Sequence, residues 1–172
     1  ERDWLEEARR YYTNIVGKYG IQVQNVLKKA ATLDIQTICP LHGPVWRSNL
    51  SWFIEKYQCW SSYTSEEKGV VIVYASMYGD TENAANVLAA RLADAKVGPI
   101  RMFDVSCTNV SYLISEVFHY THLVLASVTY NGQVYPTMEN FIQDMKALSV
   151  QGKKVAIMEN GTWAAMSGKK IR

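Results

Sequence analysis

From Val70 onward the chain repeats one pattern: a short apolar run, a turn, then an amphipathic stretch. Strands are expected at 70–75 ("VVIVYA"), 100–105, 122–127 (containing "LVLAS") and 154–158, and helices at about 81–95, 110–118 and 137–148. Alternation of this kind builds βαβ units, which assemble into a parallel sheet with helices on both faces. The runs are nearly all apolar, as strands buried on both sides require. The expected fold class is therefore α/β, a doubly wound parallel sheet. Ligands bind such sheets beyond the carboxyl ends of the strands, near the switch in strand order. Three loops qualify: "SMYGDT" (76–81), "SVTYNGQVYPT" (127–137) and "ENGTWAAMSG" (159–168).

The first sixty residues read differently. Trp4, Leu5, Ala8, Tyr11, Tyr12, Ile15, Val16 and Tyr19 recur at steps of three and four, giving one apolar helical stripe. Gly20 is expected to end that helix as a glycine cap. A second helix is expected over 22–33, with Val23, Val26, Leu27 and Ala30 inward, and a short strand at 35–39 ("IQTIC"). The prolines and glycine of "PLHGPVWR" (40–47) force a loop. A helix over 50–60 and the polar linker "SSYTSEEKG" (61–69) lead into the alternating region. The chain starts inside helical periodicity without a Met, and that start reads as a fragment.

Composition removes several function classes. A net charge of +2 without a basic stripe disfavours nucleic acid, and no apolar run is long enough to span a bilayer. No secretory leader is recognisable. Cys39, Cys59 and Cys107 form no CxxC pair and fit buried thiols in a reducing cytoplasm.

In the first loop, Ser76, Thr81 and successive backbone N–H groups can wrap a phosphate at the positive end of a helix dipole. The same residues would also serve a capped turn with no ligand. Neither GxxxxGK[ST] nor GxGxxG is present, which disfavours a triphosphate and a dinucleotide. No Asp ends the first or third strand, so a phosphorylatable receiver domain is disfavoured too. A phosphate monoester held by neutral donors remains. Tyr130 and Trp163 add flat rings beside Asn131, Gly132, Asn160 and Gly161. Each ring alone reads as packing; the three loops together read as a flavin site.

S-x-x-G-x-T after the first strand, with the tyrosine–asparagine loop, resembles a flavodoxin-type FMN domain. "ICPLHGPVWR", joined through a tryptophan-containing helix to "VVIVYASMYGDTENAA", resembles the flavodiiron proteins over essentially the whole chain. That family fuses a metallo-β-lactamase-like diiron domain to a flavodoxin-like FMN domain. The resemblance implies the carboxy-terminal end of the metal domain at 1–60, the linker at 61–69, and a flavodoxin-like domain at 70–172 lacking its last strand and helix. It assigns FMN to Ser76, Met77, Tyr78, Gly79, Asp80, Thr81, Thr129, Tyr130, Asn131, Gly132, Asn160, Gly161, Thr162 and Trp163. Val128 departs from the proline commoner in flavodoxin-like loops. His42 matches the last histidine ligand of the diiron site, and the remaining iron ligands have no counterpart here. His119 and His122 read as surface residues.

The implied activity of the full-length parent is FMN-dependent electron transfer to a non-haem diiron centre, reducing oxygen to water or nitric oxide to nitrous oxide. The fragment alone is expected to be inactive and to hold no stable iron pair. Implied partners are a rubredoxin-like or flavin-reductase electron donor and the gaseous substrate. The implied assembly is a head-to-tail homodimer or tetramer in the cytoplasm, with no nucleic-acid or membrane partner. The alternatives are a flavodoxin-like electron carrier and an FMN-dependent NAD(P)H:quinone reductase.

Overall fold

The computed structural model describes residues 2–172. Its centre is a parallel sheet of β1 (Glu67–Ala75), β2 (Ile100–Asp104), β3 (Tyr120–Tyr130) and β5 (Lys154–Asn160) in the order β2–β1–β3–β5. The short β4 (Gln133–Val134) runs antiparallel to the end of β3. The chain crosses outward from β1 to β2, then returns to the other side of β1 as β3. The strand order therefore switches between β1 and β3, and the crevice at their carboxyl ends is the expected ligand position.

Alternate residues of β1 face opposite layers. Val71, Val73 and Ala75 pack with Leu113, Ile114 and Val117 of α5 (Val110–His119) and with Met138 and Phe141 of α6 (Pro136–Ala147). Val70, Ile72 and Tyr74 pack with Ala85, Leu88 and Leu92 of α4 (Asp80–Asp94). The flavodoxin-like doubly wound arrangement is thus present, with helices on both faces. Burial on both faces holds for β1 and β3. It fails for β5, an edge strand whose Val155 is half exposed.

The amino-terminal part is helical: α1 (Arg2–Ile15), a 3₁₀ turn at Gly17–Tyr19, α2 (Gly20–Ala30) and α3 (Leu50–Ser61). Gly20 does not cap the first helix. It is right-handed helical (φ −51°), opens α2, and lies against the Ser61 carbonyl, where a Cβ would collide. Close approach, not a left-handed turn, explains the glycine. The strand expected at 35–39 reduces to a single bridge, Ile38 to Trp46. Tyr12, Trp46, Phe53 and Trp60 form the core here, with Trp46 stacked on Phe53 at 4.0 Å. Val26, expected inward, is exposed. The thiols also depart from expectation: Cys39 and Cys107 are exposed.

Of the connector at 61–69, Ser61 closes α3 and residues 67–69 open β1. The remainder is pinned rather than loose. The buried Glu66 carboxylate accepts from Arg9 Nε of α1 and Trp60 Nε1, each at 2.7 Å, and pairs with Lys56 Nζ at 2.9 Å. Burial alone would raise its pKa, but Arg9, Trp60 and Lys56 outweigh burial and hold it below the ordinary carboxylate value. Lys153 Nζ donates to Ser65 Oγ at 2.6 Å and to the Phe118 and Tyr120 carbonyls, and its burial lowers its pKa to about 8. Helix α1 meets α5 through Arg10 Nε to Ser111 Oγ at 2.8 Å, with the Arg10 guanidinium 3.8 Å from the Tyr112 ring centre.

His119 and His122 are not surface residues; both are partly buried. His119 stacks on Tyr120 at 4.1 Å, and burial, with Arg9 nearby, drops its pKa to about 4. His122 Nδ1 lies 2.7 Å from Thr121 Oγ1. The junction misleads because Arg9 of α1 reaches Ser115 and Glu116 of α5 one turn before His119, while His122 lies in β3 between β1 and β5.

Candidate functional site

The three carboxyl-end loops converge on one cavity of about 450 Å³, within the usual range for small-molecule sites. Ser76, Met77, Tyr78, Asp80, Thr81, Thr129, Tyr130, Asn131, Asn160, Gly161, Thr162 and Trp163 all line it, together with Val128. Gly79 and Gly132 do not line it; they shape its loops.

In the first loop, the backbone leaves β1 at Ala75 and enters α4 through Gly79 at φ +93°. A Cβ on Gly79 would meet nothing within 4 Å, so its conformation rather than crowding requires glycine. The N–H groups of the first turn of α4 have no intrahelical acceptors. Ser76 Oγ accepts from Gly79 N at 3.1 Å. Thr81, 1% exposed, has an Oγ1 that accepts from Asn160 Nδ2 at 3.4 Å. Each hydroxyl thus accepts a hydrogen bond from its own chain and keeps its own proton to donate. Asp80, the cavity's carboxylate, is exposed and favours the helix start. Its side chain would repel an anion, so only its backbone N–H suits that role.

The second loop is a hairpin that the sequence reading stopped short of. Strand β3 continues past 127 to Tyr130, turns at Asn131 (φ 49°) and Gly132 (φ 70°), and returns as β4. Thr129 pairs with Val134 and Tyr130 with Gln133. Two residues with positive φ between antiparallel strands form the type I′ turn that Asn-Gly favours, so the dipeptide was the available signal. Tyr130 packs edge-on against Tyr135 at 5.7 Å.

The third loop leaves β5 at Asn160 and doubles back at once: a Cβ on Gly161 would lie 2.6 Å from the Ala164 carbonyl oxygen. Trp163 is 98% exposed at the rim, where Tyr78 is also exposed. Beyond it, Met166 N and Ser167 N both donate to Thr129 Oγ1, at 2.9 and 3.1 Å.

The cavity fits a flavin monophosphate on three counts. Its size suffices, its phosphate end offers neutral donors, and its rim carries aromatic rings. Among the described residues no Lys or Arg lines it.

His42 lies elsewhere. It is exposed and borders a separate cavity of about 490 Å³ with Trp4, Tyr11, Trp46 and Tyr57; the Tyr11 ring is 5.3 Å from its own. Among the described residues no group of three or more His, Cys, Asp or Glu side chains converges. One imidazole does not make a two-iron site, so the residues present do not fit that group on their own. Among the described residues no helix is long and apolar enough to cross a membrane.

Comparison with known proteins agrees with this geometry. Over 168 residues the chain is 29% identical to an uncharacterized protein of Methanocaldococcus jannaschii, covering 98% of this chain and 42% of that protein. It is 25% identical over 166 residues to an anaerobic nitric oxide reductase flavorubredoxin of Vibrio vulnificus, covering 95% of this chain and 33% of the relative. Among solved structures, the rubredoxin oxygen:oxidoreductase of Desulfovibrio gigas superposes with a TM-score of 0.89 at 27% identity, over 99% of this chain and 43% of that one. A flavodiiron protein of Giardia intestinalis shares the fold with a TM-score of 0.88 over 95% of this chain and 40% of its own, at 22% identity. The chain thus spans less than half the length of these relatives, and each match covers at least 95% of this chain. The flavodoxin sequence profile matches residues 72–166, more than half of the chain and nearly all of the cavity wall, so this chain belongs to the flavodoxin family.

Proposed function

We propose that the chain binds FMN in the three-loop cavity and passes electrons through it. The observation that carries this reading is the pair of hydroxyls on Ser76 and Thr81. Each accepts a hydrogen bond from within the chain and, among the described residues, has no acceptor for its own proton. They stand beside the free N–H groups of a helix start. That combination holds a phosphate without a lysine or arginine. Tyr130 and Trp163 would bracket the ring, while backbone amides at Asn131, Gly132, Asn160, Gly161 and Thr162 read its edge. FMN supplies one- and two-electron redox chemistry; the chain binds it, orients it and limits its contact with water.

The wider reading rests on the likeness to longer proteins. Residues 1–60 would be the carboxy-terminal end of a metallo-β-lactamase-like domain, joined through 61–69 to the flavodoxin-like domain at 70–172. Electrons from a rubredoxin-like or flavin-reductase donor would pass through FMN toward an iron pair, for the reduction of oxygen or nitric oxide in the cytoplasm. His42 would be one ligand of that pair, with the others outside this chain, in a head-to-tail homodimer or tetramer. No step through iron follows from the residues present.

The test is to load the chain with FMN and mix it anaerobically with reduced rubredoxin, and separately with NADPH and a quinone. Rapid bleaching of the flavin by rubredoxin, without quinone turnover, is the expected outcome. NADPH-driven quinone turnover would replace this reading with that of a quinone reductase.

A further inference from the structure

The hydroxyl of Thr129 differs from those of Ser76 and Thr81 in one respect: it has no capacity left. A threonine hydroxyl offers one proton and two acceptor positions. Thr129 Oγ1 accepts from Met166 N at 2.9 Å and Ser167 N at 3.1 Å, and donates to Ser167 Oγ at 3.4 Å. Ser167, fully buried, donates its own hydrogen bond to the Ser127 carbonyl at 2.8 Å. The chain of bonds closes between the end of β3 and the start of α7 (Ser167–Ile171).

We infer that Thr129 is a positioning residue and not a flavin ligand: it is the distal anchor of the third loop. This inference rests on the reading of the cavity as an FMN site. The loop carrying Trp163 hangs between two fixed points. Its proximal end is Asn160, tied to Thr81 on the first loop. Its distal end is the Met166–Ser167 pair, tied to Thr129 on the second. Between them the backbone is folded tightly at Gly161, and Trp163 itself is 98% exposed, so nothing local holds the indole. The anchors decide where it sits. The two anchors also serve different ends of the ligand: Thr81 stands at the phosphate end, whereas the Thr129 anchor governs the strap beside the ring. Loosening the second should weaken any flavin, with or without its phosphate.

The measurement compares Thr129→Val, Thr129→Ser and Thr81→Val in the full 172-residue chain. Amide exchange at Met166 and Ser167 is followed without flavin, and dissociation constants for FMN and riboflavin are taken by fluorescence. Thr129→Val should speed exchange at both amides and raise both constants about tenfold, the loss of one to two net hydrogen bonds. Thr129→Ser keeps the hydroxyl and should behave like the parent. Thr81→Val should raise the constant for FMN more than that for riboflavin, because it removes a phosphate donor as well as the Asn160 tie. Unchanged exchange in Thr129→Val would overturn the inference. So would weakened flavin binding with exchange intact, which would make Thr129 a direct ligand, or a Thr129→Ser variant as impaired as Thr129→Val. If the parent chain binds neither flavin, the FMN reading falls by itself, while the exchange data still judge the anchor.

Discussion

Residues 4–60 and 67–172 bury their apolar side chains to different degrees. In the α/β part the central strands are sealed on both faces: Val71, Ile72, Val73 and Ala75 are wholly buried. In the helical part only a small aromatic knot is closed. Trp4, Tyr11, Ile15, Tyr19, Ile21, Val26, Leu33, Leu41 and Val45 remain exposed, and Trp46 Nε1 is buried without a hydrogen-bond partner among the described residues. Amphipathic helices derive most of their stability from packing that apolar stripe. The α/β part therefore owns its core, while the helical part leans on what it touches. The contact that matters is the Glu66 cluster, where Arg9, Lys56 and Trp60 meet the connector into β1.

Substitutions can sharpen or break that contrast. Ile72→Ala empties a fully buried position in β1 and should cost about 4 kcal/mol, read as a shift in the denaturant midpoint. A cost below about 1 kcal/mol would mean the sheet is not the stable centre. Glu66→Gln takes from Arg9, whose side chain is 3% exposed, its carboxylate at 2.7 Å, leaves it Glu116 at 4.0 Å, and should cost about 3 kcal/mol. Its unfolding should also separate into two transitions if the cluster couples the parts.

Acid should act on the same joint. The pKa of His119 falls from 6.5 to about 4 on folding, so the unfolded chain takes up a proton first as pH drops. Its contribution is complete above pH 6.5 and is lost as pH falls toward 4. Glu66, also lowered, loses its contribution further down, below the ordinary carboxylate value of 4.5. A melting-temperature profile should decline from about pH 6.5 downward. His119→Gln should flatten its upper part, and an unchanged slope would remove His119 from the account. The smallest effect is expected at Ile21, 75% exposed on α2. Ile21→Ser should stay within about 0.5 kcal/mol of the parent in the isolated chain.

The same contrast governs what could be read from the sequence. Strands at 70–75, 100–105 and 122–127 and the helices between them were legible because apolar runs and turns repeat with the period of a βαβ unit. The three cavity loops were legible because the fold fixes where ligands go. In the helical part the pattern misled. Gly20 marks a helix contact rather than a helix end, and the 35–39 run forms one bridge, because tertiary packing overrides local propensity. The hairpin at 129–134 was signalled by Asn-Gly but overshadowed by the loop composition around it. The burial of Glu66 and His119 and the saturation of the Thr129 hydroxyl depend on partners dozens of residues away, and no local pattern announces them.

The central claim is that three loops of neutral donors hold a flavin by its single terminal phosphate. It is tested most directly by titrating the purified chain with FMN, FAD and riboflavin and comparing the three dissociation constants. FMN should bind tightest, riboflavin weaker by the phosphate's contribution of about 1–3 kcal/mol, and FAD weaker than FMN because no second phosphate cradle is built. Riboflavin or FAD binding as tightly as FMN would contradict the claim.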